Sequence, residues 1–482
     1  MFLSEGGIMK GSDTPHSRCL VSDSFDLDRK AAADYLDVAA NDHGREKGQL
    51  VQRALTRVPA PEPHVLEIGP GGGAAVDYLA SELENDSRRV RLTLVEVPGI
   101  SSQSLAEAMD HFGAVGSCDL IRGRAQDITS LIDEPVDVVS ASALLHEVYS
   151  YGGAYPGLHD LMRAFPSVVR PYGFFVYRDV YAVATPSVHE RVVQSYSAQS
   201  WLRFLRLFLP YYLRHGTHPY HHHDDGVVVR QNSRVVDVTD LDTRSYAVIS
   251  APIGVCREIQ RHYITLRDHV WRSGILGFEP VLEGQLSADW IDFRAGHKRV
   301  HFSFTDNGWI SLDEQANIRA VSEPFGDHHV IDGDIFDAIT DRALDTFLGA
   351  VQREDRDCEA VWSAWLDREG RETYAYLTTG ELLTAFAVNS AESETDRPSV
   401  LLPVRPDDVF THARHYYDRF LTKNLSNALD DAKQMVLFQN IPLTDTRALR
   451  RGLATIRRHC SKPGLARVHS VLHARGSFGA CI

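Results

Sequence analysis

One run of nine residues restricts this chain more than any other: Val65-Leu66-Glu67-Ile68-Gly69-Pro70-Gly71-Gly72-Gly73. An apolar stretch carrying a single acid breaks into glycines at alternate positions 69, 71 and 73, and Ala74-Ala75-Val76-Asp77-Tyr78-Leu79 resumes with helical spacing. The pattern reads as a buried strand, a tight turn and a helix start. Glycine at such a turn accepts positive φ and leaves no Cβ between backbone and ligand. Turns of this kind hold several nucleotide-like ligands, so the residues that follow must discriminate among them.

Length and composition bound the answer. A chain of 482 residues suits two or three domains. Hydrophobic residues at 43% and charged residues at 24% describe a soluble globular protein. A net charge of −15 opposes an unaided electrostatic grip on nucleic acid. The six cysteines are scattered without a C-x-x-C pair, so neither a zinc ribbon nor a disulfide framework is expected, and the usage fits a reducing cytoplasm. No run approaches the roughly 18 apolar residues of a membrane span. Residues 1–24 lack a signal-peptide pattern and are expected to be disordered, with Met9 an alternative start.

Strand and helix patterns then alternate. A helical segment over 28–56 and the prolines 59, 61 and 63 precede the first strand. A second strand, Val90–Val97, carries Glu96, 23 residues beyond Gly73. A strand at 118–123 is followed by Gln126-Asp127, a fourth at 136–142 carries Ser140, and a fifth at 174–180 carries Arg178-Asp179. Five alternations predict a parallel sheet with helices on both faces. Ligands on such sheets sit at the carboxyl ends of the strands. Gly69–Gly73, Glu96, Asp127, Ser140–Glu147 and Arg178-Asp179 all fall at those ends.

Glu67-x-Gly69-x-Gly71-x-Gly73, Glu96, Asp127 and Pro171-Tyr172-Gly173 before strand five together resemble class I S-adenosyl-L-methionine (SAM)-dependent methyltransferases, over about residues 30–310. The resemblance implies a Rossmann-like, doubly wound, seven-stranded α/β sheet with SAM as cofactor. It implies that Gly69, Gly71 and Gly73 pass under the methionine part, that Glu67 orients the turn, that Glu96 binds the ribose and that Asp127 binds the adenine. Gln126 and Ser140 join that binding set. Ser142-Ala143-Leu144-Leu145-His146-Glu147-Val148-Tyr149-Ser150-Tyr151 resembles a bacterial subgroup with a His-Glu-Val-Tyr-Ser-Tyr signature after strand four. Arg257-Glu258-x-Gln260-x-x-Tyr263 is similar to that subgroup too. His146, Glu147 and Tyr151 are the catalytic candidates, His146 as a general base or, equally, as a brace for its loop. Arg178-Asp179 reads as an ion pair at the pocket rim. No metal is expected.

The expected domain plan is a methyltransferase domain over 25–312, with a lid inserted at 183–256, and a separate α+β C-terminal domain over 313–482. Segments 277–285 and 297–305 are expected to supply the sheet's last two strands. Ser187–Leu213 and Pro406–Leu429 read as long helices, and Ala360–Leu377 holds Trp362, Trp365, Tyr374 and Tyr376. The histidines at 215–223 match no structural zinc module. The C-terminal part is expected to serve packing, homodimerisation or substrate recognition through arginines 447, 450, 451, 457 and 458. Methyl transfer to a small molecule of specialised metabolism is the leading expectation. Aminocarboxypropyl transfer or SAM cyclisation, a macromolecular acceptor (RNA or carrier protein) and a non-catalytic SAM-binding module stand as alternatives.

Overall fold

The computed structural model describes residues 44–84, 88–99, 102–180, 183–280, 291–292, 299–305, 310–413 and 415–476. The N-terminus at 1–24 and the helical segment before Gly44 lie outside them. The protein is a mixed α/β structure built on a largely parallel sheet. Strands β1 (His64–Ile68), β2 (Val90–Glu96), β3 (Gly116–Arg122), β4 (Val136–Ser142) and β5 (Val169–Asp179) run parallel in the order β3-β2-β1-β4-β5. Side chains alternate across the sheet. Val65, Val138 and Phe174 pack under the helices Gly44–Leu55, Ala74–Leu83 and Gln103–Phe112. Leu66, Val139 and Phe175 pack under Leu145–Tyr151, Ala154–Val168 and Thr379–Ala391. That period of two sandwiches the sheet between two helical layers.

The sheet is not complete by residue 312. Ala432–Pro442 lies antiparallel beside β5, with Gln434 opposite Asp179, and Ser399–Leu402 and Val409–Ala413 pair with it in turn. Among the described residues the sheet therefore has eight strands, against the seven expected. Phe278–Pro280 and Arg299–Phe304 do form an antiparallel pair, but in a separate sheet with His328–Asp332 and Glu323–Phe325. The difference has a physical basis. Met435-Val436-Leu437-Phe438 is a continuous apolar run buried on both faces, the pattern of a central strand. The 299–304 strand alternates, as a one-faced strand does.

Between β5 and Ser399 the chain builds a second core. Its helices Gln199–His215, Ile253–Arg272, Gly333–Val351 and Arg356–Arg368 bury Trp201, Phe208, Tyr263, Trp271, Phe347 and Trp365 together. A five-stranded sheet, with Arg191–Tyr196 and Ala247–Pro252 at its centre, flanks that core. The helix expected from Ser187 begins only at Gln199, because Val192, Val193 and Tyr196 belong to a strand. The helix expected over 406–429 is split into a strand at Val409–Ala413 and a helix at His415–Asn424. Residues 313–368 thus share one core with residues 188–278, joined by Phe420, Leu421 and Leu425, while 382–409 and 436–472 pack on the large sheet. No helix among the described residues is long and apolar enough to cross a membrane. Cys118, Cys256, Cys358 and Cys460 are free thiols.

Candidate functional site

The glycine turn closes the top of β1. Gly69 donates to the Val95 carbonyl at 2.9 Å and Gly73 to Pro70 at 3.0 Å, while Ser104 donates to the Gly72 carbonyl at 2.8 Å. Gly69, Gly71 and Gly73 all have positive φ, at 70°, 58° and 83°. Their surroundings differ. A Cβ on Gly71 would meet nothing within 4 Å, so its face is open to a ligand, whereas one on Gly73 would lie 2.9 Å from Ala108 Cβ and 3.0 Å from Leu105 Cα. Gly71→Ala should cost about 1 kcal/mol from left-handed strain alone, and Gly73→Ala about 3 kcal/mol from strain plus overpacking. Urea unfolding of the two variants checks this; equal losses would show that the turn yields at Gly73.

Two buried carboxylates flank the turn. Glu96 Oε1 accepts from Val97 N at 2.8 Å and Oε2 from Gly71 N at 3.4 Å. Burial raises its pKa to about 6, against the pull of those two bonds and with a push from the Glu147 charge. Glu67 stands in β1 between Leu94 and Ser140. Burial lifts it to about 7, opposed by Lys47 and assisted by Glu96. Its Oε2 has no hydrogen-bond partner among the described residues. Neither has the Ser142 hydroxyl, nor either polar atom of the Gln126 side chain. Gln126 and Asp127 lie half-buried in the short turn Ala125–Asp127 after β3. Ser140 lies deeper, paired beside Glu67 within the sheet. Ser142 escaped the sequence reading, although the strand period places it on the Ser140 face, one step nearer the edge.

The second half of the site is the Leu145–Tyr151 helix. Ala143, just before it, holds φ at 56°, an uncommon angle for a residue with a Cβ. His146 is buried. Its Nδ1–H donates to Asp179 Oδ1 at 2.7 Å, its backbone N donates to Asp179 Oδ2 at 3.2 Å, and Nε2 stands 3.6 Å from Glu372 Oε2. Burial disfavours the imidazolium, but Asp179 and Glu372 outweigh it and hold the imidazole pKa well above its usual value. Asp179 also accepts from Tyr376 OH at 3.1 Å. The rim ion pair expected between Arg178 and Asp179 does not form. Adjacent strand residues face opposite ways, and Arg178 meets Glu46 at 3.4 Å on the other side.

Glu372 is the residue the sequence reading missed. It belongs to a buried, irregular stretch over 369–378 that follows the helix Arg356–Arg368. Tyr151 OH donates to Glu372 Oε1 at 3.4 Å, and Tyr374 OH lies 2.9 Å from Glu372 Oε2 and 2.5 Å from Glu369 Oε2. Glu258 anchors the stretch, accepting from Tyr374 N at 2.8 Å and Ala375 N at 2.6 Å, and burial raises its pKa to about 8. The alternation Glu372-x-Tyr374-x-Tyr376 was the available signal. Tyr149 stacks on Tyr376 at 5.0 Å. The exposed cluster His222, His223 and Asp224 lies on a surface turn outside this network.

No protein-family model matches the chain, and no curated protein does. Among solved structures, it is similar to the YcgJ protein of Bacillus subtilis, with 19% identity over 33% of this chain and 58% of that one, at a TM-score of 0.23. It is similar to the CcbJ methyltransferase of Streptomyces caelestis, with 21% identity over 32% and 58% and the same TM-score of 0.23. A third likeness is CalS10, an amino pentose methyltransferase of Micromonospora echinaspora solved with SAM bound, with 15% identity over 31% and 56% at a TM-score of 0.22. The matched part spans less than two thirds of each of these chains. Likenesses this faint carry no argument about activity.

Proposed function

We propose that this protein is a SAM-dependent methyltransferase with a small-molecule acceptor, in line with a role in specialised metabolism. The reading rests on four buried polar atoms at the carboxyl ends of the parallel strands that lack a hydrogen-bond partner among the described residues: Glu67 Oε2, Ser142 Oγ, Gln126 Oε1 and Gln126 Nε2. Each such group costs about 1–3 kcal/mol when left unmet. A ligand carrying an ammonium, a ribose diol and an aminopurine supplies partners of the right kinds. Glu67 would meet the ammonium, Glu96 the ribose, and Gln126 with Asp127 the purine. Gly71 gives the methionine part room. When bound, the cofactor brings a methyl group already attached to its leaving group. The protein's task is then alignment, for which a rigid turn and a braced helix are suited. His146, Glu147 and Tyr151 flank the acceptor, His146 as a positioning residue clamped between carboxylates.

A small acceptor is favoured over a macromolecule by the position of the basic helix. Thr446–Ile456 packs Leu449 and Leu453 on the large sheet beside its edge strand Ser399–Leu402, and turns Arg447, Arg450 and Arg451 to solvent. That is a solvated face at the sheet edge, with the glycine turn several strands away.

Titration calorimetry tests the reading. Glu96→Ala is expected to weaken SAM binding by about 10- to 100-fold. An ammonium beside Glu67 lowers that carboxyl from about 7, so binding between pH 5 and 7 releases protons and affinity rises with pH up to about 7. Calorimetry in buffers of different ionisation enthalpy reads that release directly. Binding untouched by Glu96→Ala and without proton release would sink the proposal. With an acceptor in hand, S-adenosylhomocysteine as product supports methylation, and methylthioadenosine supports the aminocarboxypropyl or cyclising alternative.

A further inference from the structure

We propose that the cleft over the outer face of the Thr379–Ala391 helix binds a phosphate monoester, its phosphate held by Arg458 and Arg467 and its organic part lying on the cleft's apolar wall. The cleft has a volume of about 850 Å³, the size of a small-molecule site. It is lined by Thr384 and Ala385 of that helix, by Tyr155 and His159 of Ala154–Val168, and by Gly464 and Arg467 of the helix Lys462–Ala474. Two glycines fix its shape. A Cβ on Gly380 would lie 2.5 Å from the His459 carbonyl oxygen, and one on Gly464 would lie 2.8 Å from Thr384 Oγ1. That close approach seats the segment carrying Arg458 and Arg467 against the helix. None of the lining residues belongs to the glycine turn or to the network around His146. A narrow recess sharing Val183, Leu377 and Gln434 with the cleft runs to Tyr374 and Tyr376, so this is a second site beside the first.

Charge identifies the ligand. The chain carries −15 overall, yet two guanidinium groups line this cleft against one carboxylate. That carboxylate, Glu381, accepts from Thr378 N at 2.8 Å as part of a helix cap. Neither Arg458 nor Arg467 has an ion-pair or hydrogen-bond partner among the described residues. Arg163, close by, is paired with Asp160 and Glu392. The histidines of the cleft register the field. Burial lowers the pKa of His159, and Arg163 and Arg467 lower it further against Asp160 and Glu392. Burial and then Arg458 do the same to His459. Two guanidinium charges match a phosphate monoester, which carries about −1.5 to −2 near pH 7. A carboxylate is satisfied by a single guanidinium fork. Val183, Leu377 and Phe410 offer apolar surface that only an organic body covers. The fold also sorts the arginines that the sequence groups together, for Arg447, Arg450 and Arg451 lie outside the cleft.

Titration calorimetry of the full chain without SAM tests the site, so its outcome does not depend on the cofactor reading. The probes are phenyl phosphate, benzoate and inorganic phosphate. Phenyl phosphate should bind saturably and about 10-fold more tightly than either of the others, because only it offers both the dianion and the ring. Arg458→Ala and Arg467→Ala should each weaken that binding about 10- to 100-fold. Arg447→Ala and Arg450→Ala make the same change of net charge outside the cleft and should leave it unaltered. All four arginines are exposed, and circular dichroism checks that each variant is folded. No binding of phenyl phosphate at millimolar concentration, binding unmoved by the two cleft variants, or equal weakening in all four variants overturns the proposal. So does benzoate or inorganic phosphate binding as tightly as phenyl phosphate.

Discussion

Asp179→Ala is expected to lower the unfolding free energy by about 3–5 kcal/mol, the largest effect of any single change near the site. The carboxylate accepts four hydrogen bonds, from His146 Nδ1, His146 N, Val180 N and Tyr376 OH. Its removal strands a buried imidazole and a buried hydroxyl and frees the start of the Leu145–Tyr151 helix. Asp179→Asn keeps the shape but loses the charge, and should cost less. Urea unfolding near pH 7 measures both. A loss under about 1 kcal/mol for the alanine variant would show that water replaces the carboxylate and that the site is not dry.

Trp201→Ala should cost about 3–5 kcal/mol as well, for a different reason. The indole is fully buried, stacks on Tyr263 at 3.7 Å and lies against Phe420 at 6.3 Å. Its loss opens a cavity at the centre of the second core, while the core beneath the glycine turn is made of other residues. Stability should fall while the affinity for SAM of the chains that remain folded stays within a few-fold. Trp201→Phe should recover part of the loss. Thermal unfolding with calorimetry on the same samples separates the two readouts. A variant that keeps its stability but loses the ligand would show that the second core acts on the turn directly.

Much of the first half was legible because its signals are local. Glu67–Gly73 reads as strand, turn and helix from neighbours alone, and β2 to β5 repeat the alternation. Glu96 and Asp127 follow from strand ends in the same way. The second half failed where pairing is long-range. Phe278–Pro280 and Met435–Phe438 are both short segments with buried apolar residues, and nothing nearby says which one lies against β5. Only burial on both faces separates them. Glu372 was illegible for a related reason. Aromatic residues at 362, 365, 374 and 376 are close in sequence, yet the chain leaves the helix at Arg368 and turns irregularly to bring Glu372 and Tyr374 beside His146. Arg178 and Asp179 were joined because they are neighbours in sequence, which in a strand is a reason for them to part.

The position of Ala432–Pro442 has a consequence for synthesis. Until that strand emerges from the ribosome, β5 is a bare edge of a nascent sheet, with Phe174, Phe175 and Val176 on it and unpaired amides along it. Its partner for Asp179 is Gln434, 255 positions later. At about 5–20 residues per second, the wait is on the order of tens of seconds. Most of the second core's residues are made within that interval, while Phe420, Leu421 and Leu425 complete it only just before Ala432, so the newborn chain carries an exposed half-sheet throughout. Edges of this kind recruit strands from other chains. Yield in the cell should therefore depend on chaperone supply more than the stability of the finished protein suggests.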